Sequence, residues 1–401
     1  MTTSFVRPLA AIALALAAGA CGGGAAMEPP ATAPAAAPQS ESAAFVVTIG
    51  NDTVSVERYT RTATTLTGEV VTRTPRTTSR AYRAQLRPDG SVSSVEVTTR
   101  VLNAPPSTPP AIATITFGSD TAAVRIARGD SVQNQRISAG ANAFPQAGAY
   151  ALYEQAIMHT RRAGMADARL RFLAPGAPQA GNVGIRSLGG DSVQLTTGAG
   201  PATVRIDSAG RLLALSGLQS TQKFIVRRLP SLDVAALGAS YAQREAAGSG
   251  LGTLSPRDSV RATIGGANIV IDYGRPLKRG RRVLGEVVPL DQVWRTGANA
   301  ATGLRTDRDL VIGGTRVPAG SYTLFSLPSR DGWKLIVNRQ TGQWGTEYHP
   351  EQDLARIDLQ RRPATPAVEQ FTIRIDPSGA GAGTLRMLWD DFELAAPIEV
   401  R

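Results

Sequence analysis

From Phe45 to about Leu237 apolar and polar residues alternate with a period of two, as in FVVTIGNDTVSVERYTRT, SRAYRAQLRPDGSVSSVEVTT and GPATVRIDSAGRLLALS. Strict alternation puts one apolar and one polar face on each strand, so it predicts half-exposed antiparallel sheet. Asn51-Asp52, Pro88-Asp89-Gly90, Gly118-Ser119-Asp120 and Ser208-Ala209-Gly210 fall between the runs and supply the turn residues of hairpins. One stretch, 144–163, breaks the period. There Ala149, Leu152, Tyr153, Ala156 and Ile157 recur at helical spacing, which predicts a single helix against the sheet.

Beyond residue 251 the runs shorten and the turns become richer in Gly and Pro. Strands are expected at 260–264, 268–273, 309–312, 321–327, 333–338, 356–360, 370–376, 384–389 and 392–398. That number and spacing predict a β-sandwich of jelly-roll type. The four tryptophans, Trp294, Trp333, Trp344 and Trp389, all lie in this half and place the larger aromatic core there. The expected fold is therefore mainly β. It comprises an antiparallel β domain with one helix (45–237), a linker (238–250) inside a helical or loop-like connector at 231–252, and a C-terminal sandwich (251–401).

The ends of the chain are not globular in composition. Residues 1–20 hold one early charge, Arg7, then the apolar run LAAIALALAA and small residues before Cys21. The run is too short to span a bilayer and has the layout of a secretory signal peptide. Small residues leading directly into a cysteine are similar to a bacterial lipoprotein cleavage box. On that reading Cys21 is lipidated and anchors the protein to a membrane of the cell envelope. Gly22 beside it resembles sorting to the outer membrane, facing the periplasm. Cys21 is the sole cysteine, so a lipidated Cys21 leaves no disulfide, thiolate metal ligand or Cys nucleophile. Residues 21–44 are Gly, Ala, Pro and Ser with few large apolar side chains, which predicts a tether.

The net charge of +11 is almost wholly arginine, since Lys223, Lys278 and Lys334 are the only lysines. Arginine offers a planar fork of donors suited to carboxylate and phosphate. No Walker or dinucleotide pattern accompanies it, so neither a nucleotide site nor a nucleic-acid partner is expected.

Several motifs in order, SPRDSV (255–260), YGRP (273–276), KRGRRVLG (278–285), VPLDQVWRTGAN (288–299), VPAGSYTLFSLP (317–328) and GWKLIVNRQTGQWG (332–345), followed by Tyr348 and Asp353, resemble the bacterial domain of unknown function 2911 family. The resemblance covers about 251–401 and does not reach 45–240. Members often carry an acid after WRTGAN, where this chain has Ala300. The resemblance implies a fold and a site and leaves the activity open.

Within it, Trp294, Arg295 and Asn299 form the strongest cluster. Trp294 can plug the end of a sandwich or offer a stacking face, and Asn299 can orient a turn or a ligand. Arg295 needs either a carboxylate, with Asp272, Asp291 and Asp353 as possible mates, or an anion from outside. The neighbouring loop adds Arg275, Lys278, Arg279, Arg281 and Arg282, and 275–308 holds eight cations against three carboxylates. His349, with Glu347, Glu351 and Asp353, reads as a polar turn; one histidine and scattered acids make no metal site, and no cofactor is expected. Three functions follow. The first is non-catalytic binding of an anionic or carbohydrate-like envelope ligand by Trp294, Arg295, Asn299, Arg275 and Arg281. The second is a hydrolase using Asp353 or His349 as acid/base with Arg295. The third is a purely structural envelope protein.

Overall fold

The computed structural model describes residues 40–140, 143–330, 332–379 and 381–401. The expected signal peptide, Cys21 and the tether up to residue 39 lie outside the described residues. Strand pairing begins at Glu41, within the stretch expected to be tether, because Ala43 and Ala44 are small enough to pack completely beneath their neighbours.

The described residues form two sheets and two α-helices. The alternating half becomes a fifteen-stranded meander. Its first strand, Glu41–Ile49, lies at the centre. Hairpins run outward from it in chain order to Ser131–Ser138 at one edge. On its other side Ile225–Leu229 pairs with it, and hairpins run back to Asp167–Leu173. Beyond that lies Ala143–Pro145, which pairs parallel to Asp167–Leu173 at the far edge. The two edge strands are consecutive in the chain, so the short connection between them keeps the edges within about 18 Å of each other. The sheet must therefore curl upon itself.

Helix α1 (Tyr150–Arg162) fills the curl, as the helical spacing predicts. Leu152, Ala156 and Ile157 are fully buried against Phe144, Phe172 and the strands. Each large aliphatic side chain so placed contributes about 2 kcal/mol. Ala149 caps the helix without a side-chain acceptor. The exposed amides are met instead by a distant carboxylate: Glu57 accepts from the Tyr150 N–H at 2.5 Å and the Ala151 N–H at 3.2 Å. The Tyr82 hydroxyl donates to the same group at 2.7 Å. A second carboxylate, Glu154, points from α1 into the sheet and accepts from Tyr59, Arg61, Arg228 and the Leu212 N–H. Helix α2 (Val234–Ala246), capped by Asp233, occupies most of the expected connector and packs Val234 and Tyr241 on Val56 and Val71.

Burial pushes Glu57 up to about 7, outweighing its three hydrogen bonds. A carboxyl raised in the native state holds its proton more tightly folded than unfolded. Its stabilising effect is complete below the unfolded value of 4.5 and is lost as pH rises to about 7. Glu57→Gln should therefore remove a loss of about 3 kcal/mol between pH 4.5 and pH 7.5. Urea titrations of both proteins across that range check this; parallel stability curves would count against it.

The second sheet, with nine strands, covers every stretch expected in this half but merges 356–360 with 370–376 and 384–389 with 392–398 into single long strands, and it adds Thr302–Thr306 and Thr315–Val317. The long strand Asp353–Gly379 pairs first with Trp333–Asn338 and then with Ala382–Val400. By passing from one partner to the other it folds the sheet over a single aromatic core of Trp333, Trp389, Tyr273, Phe371 and Phe392. This is the sandwich-like arrangement expected. Both sheets belong to one compact unit, Gln39–Arg401.

Candidate functional site

The two sheets meet where the turn after the first strand reaches the basic loop. Asn51 N–H donates to the Arg279 carbonyl at 2.9 Å, and the Arg279 guanidinium bonds Asp52 at 2.5 Å. Gly50 and Gly280 both hold positive φ, and a Cβ on either would overlap atoms of the opposite turn. Beside this junction opens a cavity of about 950 Å³, lined from both sheets.

Its C-terminal wall carries the Trp294–Asn299 loop. Trp294 exchanges backbone hydrogen bonds with Ser326 at 2.7 and 2.8 Å and stacks on Trp389 with centroids 5.9 Å apart. Thr296 donates to Ser326 Oγ at 3.1 Å, while its carbonyl accepts from Thr302 at 2.8 Å. These bonds hold Thr296 at φ 49° and Asn299 at φ 63°. A β-branched residue in the left-handed region is strained and persists only where its surroundings enforce it. Lys223 and Arg279, which also line the cavity, share that region at φ 55° and 53°. Much of the chain's backbone strain outside glycine is thus gathered around one cavity.

Arg295 lies flat along Gly345, where a Cβ would come within 2.6 Å of the Asn299 carbonyl and closer still to the Arg295 side chain. Among the described residues no carboxylate stands within 4.0 Å of its guanidinium. Asp272 is taken by Arg257, and Asp353 by Arg356 and Tyr348. Burial alone pulls Arg295 below the usual arginine value. Since arginine does not lose its proton in proteins, that direction means a charge held where water solvates it poorly.

Three further cations on the cavity share this condition. Arg281 is lowered by burial and then by the charge of Arg279, and it donates only to the Lys278 and Leu277 carbonyls. Lys223 is lowered by burial and then by Arg281 and Arg295, so both arginines repel its charge. Arg80 is lowered by burial alone. Arg279 completes the set but is neutralised by Asp52. No aspartate or glutamate is among the lining residues.

Of the residues singled out in the sequence, the fold brings Trp294, Arg295, Asn299 and Arg281 together on the cavity. Arg275 does not join them. Its guanidinium is spent on Asp258 at 2.9 Å, the Phe371 carbonyl at 3.2 Å and Thr372 at 2.9 Å, which stitches the YGRP segment to the long strand. The Asn299 side chain is exposed, and its carbonyl accepts from Gly345 N–H at 3.0 Å. His349 is also exposed, beside Glu351, and neither it nor Asp353 lines the cavity. Tyr348 does line it. Burial and its hydrogen bond to Asp353 push that phenol up to about 12, so it stays protonated. Among the described residues no group of His, Cys, Asp and Glu is arranged to hold a metal. Arg80, Lys223 and Gly345 enter the site without having been assigned to it, and Trp344, expected in the aromatic core, stands half-exposed on the cavity instead. Arg80, in the strand Thr78–Leu86, and Lys223, in the loop before Ile225–Leu229, belong to the N-terminal half, and no local pattern signals their approach.

Residues 255–398 match the family described as "Protein of unknown function (DUF2911)", in agreement with the resemblance of the motifs. No curated protein matches the chain. Among solved structures, the chain is similar to a DUF1089 family protein from Pseudomonas aeruginosa, with 12% identity, 41% of this chain and 90% of that chain covered, and a TM-score of 0.31. It is also similar to a beta-barrel-like protein of the DUF1849 domain from Brucella abortus, with 8% identity, 48% and 95% covered, and a TM-score of 0.31.

Proposed function

We propose that this protein is a non-catalytic receptor of the bacterial cell envelope, lipid-anchored through Cys21, whose inter-sheet cavity holds an anionic ligand. One observation carries the reading: Arg80, Lys223, Arg281 and Arg295 surround a space to which no carboxylate contributes a side chain. Four poorly solvated like charges are unfavourable in isolation, and an incoming phosphate or carboxylate reverses the sign of each interaction. The half-exposed Trp344 offers a face for a ring or chain beside the charge, and the buried Trp294, stacked on Trp389, closes the wall behind it. The acid/base residues a hydrolase would need, His349 and Asp353, stand outside this space. A purely structural role leaves the unpaired cations without a purpose.

The test is calorimetric titration of the full chain with phosphates, sugar phosphates and uronates. A ligand that binds wild type should bind Arg295→Ala and Arg281→Ala about tenfold to a hundredfold more weakly, the worth of one charge-assisted hydrogen bond each. Arg275→Ala should leave affinity unchanged, because that guanidinium is engaged elsewhere. Binding that ignores Arg281 and Arg295 would sink the reading. The anchor is tested separately: Cys21→Ser should move the protein from the membrane fraction to the soluble one.

A further inference from the structure

The part of the cavity wall that a ligand can touch is mostly polar. Val47, Ile49 and Val54 border the cavity from inside the N-terminal core, where they are buried. Glycines aside, every exposed lining residue is either an uncharged polar one or Trp344. Four are amides: Gln219 and Gln222 in the loop before Ile225–Leu229, and Gln292 and Asn299 on either side of Trp294. An amide side chain offers both donors and an acceptor. A bare phosphate or carboxylate only accepts, so it can use the N–H groups of these side chains but not their oxygens. A hydroxyl both donates and accepts, and it can answer either end.

Trp344 is 48% exposed, whereas the other three tryptophans are at most 8% exposed. Its position is fixed by main chain. Trp344 forms an antiparallel bridge with Ala300, and the next residue, Gly345, donates its N–H to the Asn299 carbonyl at 3.0 Å. On its other side the buried Gln343 donates to Thr323 at 3.2 Å. The Arg295 side chain lies against Gly345, so an open indole and an unpaired guanidinium belong to one rigid patch. An apolar ring face next to a cation, within a wall of amides, matches a sugar ring bearing an anionic group. One face of such a ring is C–H and its rim is hydroxyl. The cavity, about 950 Å³, lies at the upper end of small-molecule sites and has room for more than one ring.

Resting on the anion-receptor reading, we infer that the ligand is an anionic saccharide: a ring stacked on Trp344, its phosphate or carboxylate held by Arg295 with Arg281 and Lys223, and its hydroxyls met by the amides. An inorganic anion satisfies the cations but leaves the indole and the amide oxygens to water. A neutral sugar covers the indole but leaves the charges unmet.

Calorimetric titration of the full chain with ring compounds and acyclic partners of like charge tests this. Glucose 1-phosphate is compared with glycerol 3-phosphate, and galacturonate with glycerate, with glucose as the neutral control. At least one ring compound should bind about tenfold more tightly than its acyclic partner, the worth of one stacked ring. Trp344→Ala should erase that preference and Trp344→Phe should keep most of it. Because Trp344 is the exposed tryptophan, the bound ring should also protect wild-type fluorescence from acrylamide, and this protection should vanish in Trp344→Phe. The Arg281→Ala/Arg295→Ala pair should reduce the ring compound to the affinity of glucose. If neither ring compound exceeds its acyclic partner, or if Trp344→Ala leaves the preference intact, the saccharide is overturned and the anion receptor stands. Glucose binding as tightly as the charged rings, with the arginine pair irrelevant, would overturn the anion receptor itself. If none of these compounds binds, both readings fall.

Discussion

Glu154→Ala is expected to lower the unfolding free energy by about 4 kcal/mol, a large fraction of what holds a protein of this kind together. Glu154 is fully buried and accepts from the Tyr59 hydroxyl at 2.6 Å, Arg61 at 2.7 Å, Arg228 at 2.6 Å and the Leu212 N–H at 2.7 Å. Burying a charge costs several kcal/mol, which this arrangement offsets because every lone pair of the carboxylate is occupied and both guanidinium groups are shared with Glu41. Removing the carboxylate strands two arginines, each at most 15% exposed, with one acid between them. It also leaves the Leu212 N–H without an acceptor and the Tyr59 hydroxyl with only Glu41, at 3.4 Å. Glu41→Ala should cost much less, since that side chain is 27% exposed and water can replace it. Urea denaturation of the two variants gives the comparison; a Glu154→Ala loss under 1 kcal/mol would mean the network contributes nothing net.

Gly274→Ala should cost about 3 kcal/mol and disorganise the site at the same time. The added methyl would overlap the Ala298 carbonyl oxygen, which is backbone and cannot swing aside as a side chain can. Relief requires the Trp294–Asn299 loop to move away from Tyr273–Gly274, and that loop is pinned by Ser326 and Thr302. Overpacking against main chain is at the expensive end of small-to-large changes. Gly303→Ala is the control. It lies in the neighbouring strand Thr302–Thr306, has an ordinary φ, and a Cβ there meets nothing within 4 Å. Denaturation followed by tryptophan fluorescence reports on this half of the molecule, because all four tryptophans lie in it. Equal midpoints for the two alanine variants would refute the packing argument.

The strands were legible because alternation and turn residues are local properties. Asn51-Asp52, Pro88-Asp89-Gly90 and Ser208-Ala209-Gly210 all fall at turns. Where the expectation stops short, a local reason exists. Thr302–Thr306 is five residues long and follows a glycine turn, so it offers too little alternation to recognise. The first strand starts at Glu41 in a stretch whose composition suggests a linker, and only pairing with Thr60 and Arg61 makes it sheet. The C-terminal site was half legible. Trp294, Arg295 and Asn299 stand together in the chain, and the family motifs mark them. Which arginines remain unpaired is a different matter, decided by residues far away in sequence. Arg275 and Arg281 look alike in the loop, yet Asp258 and Thr372 engage the first while the second meets only carbonyls. Arg80 and Lys223 could not have been chosen from the sequence at all, because their relevance depends on how the sheets meet.

That meeting has a mechanical corollary. Two of the unpaired cations, Arg80 in the strand Thr78–Leu86 and Lys223 in the loop before Ile225–Leu229, belong to the N-terminal half, and two, Arg281 and Arg295, to loops of the C-terminal half. A guest gripped by all four is a crosslink, and its binding free energy adds to the cohesion of the halves by RT ln(1 + [L]/Kd). The 255–398 fragment alone would keep Trp294 and Arg295 but only half of the cations that line the cavity. Cargo would therefore rivet this chain into one body, and an unladen molecule would come apart along that seam under less heat or force.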